Sequence, residues 1–139
     1  MVNMQVSYDG DLRCVAVHGP SNQQLVTDAP VDNHGRGETF SPTDLVGAGL
    51  GSCLLTVMGI AATKRKIELK GTSVSVTKEM TAELPRRIAR LAAKVTFPPA
   101  VSSQVDLPTR KDLERIADNC PVRLSLSDQI ECPLTFEWL

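Results

Sequence analysis

One long uncharged segment constrains the fold of this chain more than any other feature. Leu45–Ala62 contains 18 consecutive residues without a charged side chain, and four of them are glycine. The segment reaches the lower length limit for a membrane span, but its glycine and hydroxyl residues make it only weakly apolar. We therefore interpret it as a helix that is buried on all sides in a protein core, with glycines that let other elements approach its backbone closely.

The residues ahead of this segment predict where the helix begins. Ser41 suits the N-cap, Pro42 suits the first helical position, and Asp44 completes a capping box. The helix is expected to continue to about Lys66, and Gly71 marks the stop after it. A long central helix is therefore predicted for the middle of the chain.

Alternation of apolar and polar residues predicts strands on both sides of this helix. Asp9-Gly10-Asp11 indicates a hairpin turn, because Asp-Gly suits a positive φ. The predicted strands are Gln5–Tyr8, Leu12–His18, Gln24–Thr27, Thr72–Met80, Ile88–Phe97 and a terminal strand over Ile130–Trp138, with a loop over Asp28–Phe40.

Two short helices are predicted between the last two strands. Thr109 is expected to cap the first, which runs to Asp118, and Pro121 is expected to begin the second. Segregated antiparallel strands with one buried helix indicate an α+β fold. A chain of 139 residues suits a single domain over residues 1–139.

Composition argues against several classes of partner. The net charge is −1, from 15 basic and 16 acidic residues, and no run of one sign offers a footprint for nucleic acid or a membrane surface. Met1–Gln5 lacks the features of a secretory signal, so we expect a cytoplasmic protein whose four cysteines are thiols. With two histidines and no CxxC spacing, no metal site is expected, and no glycine-rich phosphate loop follows a strand.

The four cysteines differ in what they could do. Cys14 and Cys132 lie in alternating strand patterns, where a thiol behaves as a small apolar side chain. Cys53 lies in the middle of the predicted helix, and helical periodicity alone favours a core residue. Cys120 directly precedes a helix N-terminus, where free N–H groups stabilise a thiolate, although an imperfect N-cap is an equal alternative.

Two motifs resemble one known family. The segment from Ser41 to Cys53, SPTDLVGAGLGSC, resembles the S/N-P-x-E/D-L…A…G/A-x-C helix of the osmotically inducible protein C/organic hydroperoxide resistance (OsmC/Ohr) family. Asn119-Cys120-Pro121-Val122 resembles the second motif of that family, in which a cysteine precedes Pro-Val. Each motif alone is of modest specificity, but the pair at this separation is specific, and the resemblance spans nearly the whole chain.

The resemblance implies a fold and an activity. The family fold is an intertwined homodimer with antiparallel sheets around long central helices and with the two cysteines close together at the dimer interface. By this resemblance, Cys53 is the peroxidatic nucleophile and Cys120 the resolving thiol of a thiol-dependent peroxidase. The enzyme would reduce organic hydroperoxides through a Cys53 sulfenic acid and a Cys53–Cys120 disulfide. It would need no bound cofactor, only an external dithiol reductant, for which the family suggests a lipoyl group.

The resemblance also implies an arginine beside the reactive thiol, usually with a glutamate. Arg13, just after the predicted hairpin turn, matches best, and Arg36 is the second choice. Where the family's organic hydroperoxide reductases carry glutamate after the helix-starting proline, this chain has Thr43. Asp44 is adjacent, but the capping box already explains it, and Glu38 is another candidate for the acid.

Two other functions stay open at this stage. The absence of the family's glutamate at position 43 is compatible with a non-catalytic OsmC-like dimer that acts as a ligand-binding or stress-associated protein. The second alternative is an interaction module whose cysteines only pack in its core. For the enzyme, the expected partners are a hydroperoxide, a dithiol and a second copy of the chain, with no nucleic acid and no membrane.

Overall fold

The computed structural model describes residues 1–139 and confirms a mixed α+β fold. The strands are β1 (Met4–Gly10), β2 (Arg13–His18), β3 (Gln24–Asp28), β4 (Ser73–Met80), β5 (Ile88–Phe97) and β6 (Leu134–Trp138). The helices are α1 (Pro42–Lys64), α2 (Pro99–Ser102), α3 (Leu107–Asp118) and α4 (Pro121–Ser125), with a 3₁₀ turn over Val31–Asn33. The short helix α2 was not predicted from the sequence.

The chain divides into two compact units, Met1–Val46 and Gly47–Leu139. The first unit contains the antiparallel sheet β1-β2-β3 and the first residues of α1. The second contains the rest of α1, the sheet β4-β5-β6 and the three short helices. That residues 1–139 form a single domain stays a prediction.

The predicted hairpin of the first unit is confirmed. Gly10, Asp11 and Leu12 have φ values of 86°, 52° and 61°, the left-handed conformation that a tight turn between β1 and β2 requires. β2 then pairs with β3, and the register places Arg13 opposite Asp28. This register brings a basic and an acidic side chain together at the end of the sheet.

A reciprocal capping box begins α1, as predicted. The Ser41 N–H donates to Asp44 Oδ2 at 2.8 Å, and the Asp44 N–H donates to Ser41 Oγ at 3.1 Å. A cap of this kind stabilises a helix by about 1 kcal/mol. The helix ends at Lys64, two residues before the predicted end, and Gly71 has a φ of 93° in the turn that follows.

The expectation that α1 is buried on all sides is wrong for the single chain. Its buried residues form one side of the helix: Gly47, Leu50, Gly51, Leu54, Met58, Ala61 and Ala62. On the other side, Ile60 is 55% exposed and Val46 is also exposed. α1 is long and apolar enough to cross a membrane, with a mean hydropathy of 1.9 in its best window, but a core helix passes the same test of length and composition.

Glycines allow α1 to pack closely on the second sheet. A Cβ added at Gly51 would lie 2.9 Å from Val74 Cγ1 and 3.2 Å from Val76 Cγ2, closer than side chains normally approach. A Cβ at Gly47 would lie in ordinary contact with Val76 and Leu91. The predicted role of the glycines in close approach is therefore confirmed at Gly51.

β6 pairs parallel with β5, whereas β4 pairs antiparallel with β5, so the second sheet is mixed rather than purely antiparallel. The three short helices lie between β5 and β6 in the chain. A connection of that length carries the chain back to the starting end of β5, which makes a parallel pair possible. β6 begins at Leu134, later than the predicted Ile130, and Cys132 therefore precedes the strand.

The predicted cap of α3 is wrong by three residues. Asp106 is the N-cap, since its carboxylate accepts the Thr109 N–H at 2.9 Å, and the helix begins at Leu107. Asp is a stronger N-cap than Thr, and the following Leu107-Pro108 suits the first helical turn. The predicted start of α4 at Pro121 is confirmed.

Candidate active site

Cys53 lies in the middle of α1, half-buried, and packs against the hydrophobic core of the second unit. Neighbouring positions of the same helix, Leu50 and Leu54, are fully buried in that core. Cys53 is thus packed against apolar side chains and is partly exposed in the single chain.

Cys120 joins α3 to α4 and is fully buried. It is the N-cap of α4, and its Sγ accepts the Arg123 backbone N–H at 3.4 Å. Its own N–H donates to the Ala117 carbonyl at 3.0 Å, which holds the residue against the end of α3. The interpretation of Cys120 as an imperfect N-cap is therefore confirmed, because its sulfur accepts a backbone N–H of the helix that it precedes.

The Cys53 and Cys120 thiols lie close enough to interact electrostatically, and both are free. Burial raises the pKa of the Cys120 thiol, and the nearby Cys53 thiol raises it further. The backbone N–H groups of Arg123 and Val122 lower that pKa but do not outweigh burial. Cys120 is therefore mainly a thiol at neutral pH, contrary to the thiolate stabilisation expected from its helix position alone.

Arg13 is the centre of a charged cluster in the first unit. Its Nε and Nη2 donate to the two carboxylate oxygens of Asp28 at 2.7 and 2.8 Å, and Nη2 also donates to Glu38 Oε2 at 2.9 Å. The Asp28 carboxylate also accepts the Glu38 N–H at 3.2 Å. The Arg13 guanidinium lowers the pKa of Asp28, so this carboxylate is ionised at neutral pH.

Glu38, which the sequence offered as one possible substitute for the missing glutamate, does contact Arg13, whereas Asp28 was not considered. The signal for Asp28 was its position at the end of β3, but only the strand register reveals that it lies opposite Arg13. Arg36, the second choice, instead pairs with exposed Asp11 in the hairpin turn at 2.9 Å.

Cys14 and Cys132 are both half-buried. Burial raises the pKa of the Cys132 thiol, although the nearby Arg123 guanidinium lowers it. No cluster of three or more histidine, cysteine or acidic side chains is placed to hold a metal ion.

Comparison with known proteins identifies the family of this chain. The family model described as OsmC-like protein matches residues 35–135, a range that includes both Cys53 and Cys120. The chain belongs to the OsmC-like family. Arg13 lies outside the matched range.

Solved structures of OsmC-like proteins share this fold. A Psychrobacter arcticus protein, named for osmotic stress induction and a detoxification response, is 42% identical, with a TM-score of 0.89 over 99% of this chain and 96% of that one. An organic hydroperoxide resistance protein OsmC from Legionella pneumophila is 15% identical, with a TM-score of 0.75 over 99% of this chain and 96% of that one.

A third OsmC-like structure, an organic hydroperoxide resistance protein from Elizabethkingia anophelis, is 16% identical, with a TM-score of 0.71. The match covers 99% of this chain and 95% of the Elizabethkingia chain. No curated protein sequence matches the chain.

Proposed function

We propose that this OsmC-like protein is a thiol-dependent peroxidase that reduces organic hydroperoxides through Cys53 and Cys120. The observation that carries the proposal is the proximity of two free thiols that interact electrostatically, one half-buried on α1 and the other fully buried at the start of α4. A pair of free thiols that lie close together can pass from dithiol to disulfide with little movement of the backbone.

In the first step, the Cys53 thiolate attacks the distal oxygen of the hydroperoxide. A sulfur–oxygen bond forms, the oxygen–oxygen bond breaks, and the leaving alkoxide takes a proton to become an alcohol. Cys53 becomes a sulfenic acid, which is a two-electron oxidation of the sulfur. The partial exposure of Cys53 against an apolar core favours an organic hydroperoxide over hydrogen peroxide as the substrate.

In the second step, the Cys120 sulfur attacks the Cys53 sulfenic acid. The disulfide bond forms, the sulfur–oxygen bond breaks, and the hydroxide leaves as water with the proton of the Cys120 thiol. An external dithiol, such as a lipoyl group, then reduces the disulfide by thiol–disulfide exchange and is itself oxidised. This cycle uses no bound metal, flavin or nucleotide.

Arg13 is the residue that we assign to stabilise the Cys53 thiolate, on the family resemblance. Its bidentate bond to buried Asp28 fixes the guanidinium, and its bond to exposed Glu38 supplies the second carboxylate. Glu38 would then be the carboxylate partner of Arg13, in place of the family's glutamate at the position of Thr43. We also propose that the protein acts as a homodimer in the cytoplasm, where free cysteines are stable.

A single-turnover experiment with an organic hydroperoxide tests this function. Cys53→Ser should abolish hydroperoxide consumption, because the first step has no nucleophile. Cys120→Ser should consume about one equivalent and then stop or over-oxidise, because the sulfenic acid has no partner. Cys14→Ser is the matched control and should turn over with a dithiol like the wild type. If none of the three substitutions changes hydroperoxide consumption, the peroxidase proposal fails and a non-catalytic role takes its place.

A further inference from the structure

Arg123 contacts the chain on both sides of Cys120. Its Nη1 donates to the Asp118 carbonyl at 3.1 Å, and its Nη2 lies 3.4 Å from Asp118 Oδ1. The same Nη2 donates to the Cys132 carbonyl at 3.4 Å. Because Asp118 ends α3 and Cys132 precedes β6, the guanidinium ties these two segments together next to Cys120.

The orientation of Cys120 depends on where α4 is held. α4 has only five residues, and a helix of that length is not stable without support from its surroundings. The Arg123 N–H that bonds to Cys120 Sγ belongs to this helix. A displacement of α4 would therefore move the sulfur of Cys120 together with the N–H group that orients it.

In this position, the Arg123 side chain leaves one of its nitrogen donors buried without a hydrogen-bond partner. It is only 30% exposed, and its Nε is buried without an acceptor. An apolar side chain would fill the same space without an unpaired donor. The contribution of the guanidinium therefore lies in its two Nη groups, which bond to Asp118 and Cys132.

We propose that Arg123 is a positioning residue for disulfide closure. Its side chain braces α4 between Asp118 and Cys132 and so holds the Cys120 sulfur close to Cys53. This proposal rests on the proposed peroxidase function for the step that it serves, although the brace itself concerns the dithiol alone. Closure requires the attacking sulfur to lie in line with the sulfur–oxygen bond of the sulfenic acid, and a misplacement of about 1 Å can cost about a hundredfold in rate.

Lysine cannot replace Arg123 in this brace. A guanidinium presents a rigid fork that reaches two acceptors at once, whereas an ammonium is a single point charge. If Arg123 acted only through its charge near Cys132, Arg123→Lys would keep the wild-type closure rate. If the fork is required, Arg123→Lys will close slowly, as Arg123→Ala does.

The test measures closure of the Cys53–Cys120 disulfide in the full-length protein with two oxidants. Diamide oxidises a dithiol without a hydroperoxide, and one equivalent of an organic hydroperoxide provides the proposed reaction. Closure is followed by acid quenching and peptide mass spectrometry, and the Cys53 sulfenic acid is trapped with dimedone. Arg115→Ala is the control, since Arg115 is a 72% exposed arginine on α3 that pairs with Asp112.

We expect Arg123→Ala and Arg123→Lys to slow closure by about ten- to a hundredfold with both oxidants. Dimedone-trapped Cys53 should accumulate in both variants after hydroperoxide, and Arg115→Ala should close at the wild-type rate. Wild-type closure in Arg123→Ala, or restoration of the rate by lysine, would overturn the proposal. Arg123→Lys keeps the side-chain length and charge, so it serves as the test if Arg123→Ala does not fold.

The two oxidants separate this proposal from the proposed function. If the wild type closes with diamide but consumes no hydroperoxide, the peroxidase function is wrong. The diamide rates of the Arg123 variants then still decide whether the brace positions Cys120.

Discussion

The charge of Arg13 is shared between two carboxylates that differ in exposure. Asp28 is 1% exposed and Glu38 is 64% exposed, yet both accept hydrogen bonds from the same guanidinium. Removal of the buried partner would leave polar groups unsatisfied, whereas the exposed partner can exchange for water or for another anion. Asp28 therefore fixes Arg13 in place, and Glu38 is the partner that another anion can displace.

Arg13 is predicted to be the arginine that activates Cys53. If Arg13 stabilises the Cys53 thiolate as the family resemblance implies, Arg13→Ala should slow the alkylation of Cys53 by iodoacetamide at neutral pH by about tenfold, because a cation beside a thiol raises its thiolate population by about that factor. Arg36→Ala is the matched control, since Arg36 bonds to exposed Asp11 in the turn rather than to the Asp28 carboxylate. Mass spectrometry of the Cys53 peptide measures the rate, and a larger effect of Arg36→Ala would reverse the assignment.

Disulfide closure is predicted to depend on pH through Cys120. Burial raises the pKa of this thiol above its ordinary value, which is about 8.5 in peptides. Below the raised pKa, the thiolate fraction rises about tenfold per pH unit, so the closure rate should rise steeply between about pH 6 and pH 8. Rapid quenching after one equivalent of hydroperoxide gives this rate. A closure rate independent of pH over that range would show that Cys120 thiolate is not the attacking group.

The glycines of α1 differ in what surrounds them. Glycine at position 51 lets the helix approach Val74 and Val76 of β4, whereas a Cβ at Gly49 would meet nothing within 4 Å. A side chain at position 51 would therefore crowd the second sheet, whereas a side chain at position 49 would meet open space.

Alanine at these two positions should change stability in opposite directions. Gly51→Ala should lower the free energy of unfolding by about 1–2 kcal/mol, because overpacking against the sheet exceeds the gain in helix propensity. Gly49→Ala should raise it by up to about 1 kcal/mol through helix propensity alone. Urea denaturation followed by circular dichroism measures both. Equal or greater stability of Gly51→Ala relative to Gly49→Ala would contradict the packing described for α1.

At the scale of the whole molecule, local and long-range features differ in how far sequence predicts them. The capping box at Ser41, the hairpin at Gly10 and the helix start at Pro121 depend on a few adjacent residues, and all three were predicted correctly. The parallel pairing of β6 and the position of Asp28 beside Arg13 depend on strand register, which is a long-range property. The proximity of the two thiols was expected only from the family resemblance, because no local pattern places Cys53 beside Cys120.

A homodimer is predicted from the apolar surface that the single chain leaves open. Met4, Val6 and Tyr8 alternate on one face of β1 and are exposed, and Ile60 is exposed on α1. Apolar surfaces of this kind are typical of protein interfaces. Sedimentation equilibrium should give twice the chain mass of 15.0 kDa at micromolar concentration. A stable species of 15.0 kDa would contradict the dimer.

Mapping the disulfide that forms after hydroperoxide treatment tests whether Cys53 and Cys120 form the redox pair of this protein. The fully reduced protein is treated with one equivalent of an organic hydroperoxide, alkylated, digested without reductant and analysed by peptide mass spectrometry. We expect one disulfide, Cys53–Cys120, with Cys14 and Cys132 recovered as alkylated thiols. Recovery of all four cysteines as alkylated thiols, or a disulfide that includes Cys14 or Cys132, would contradict it.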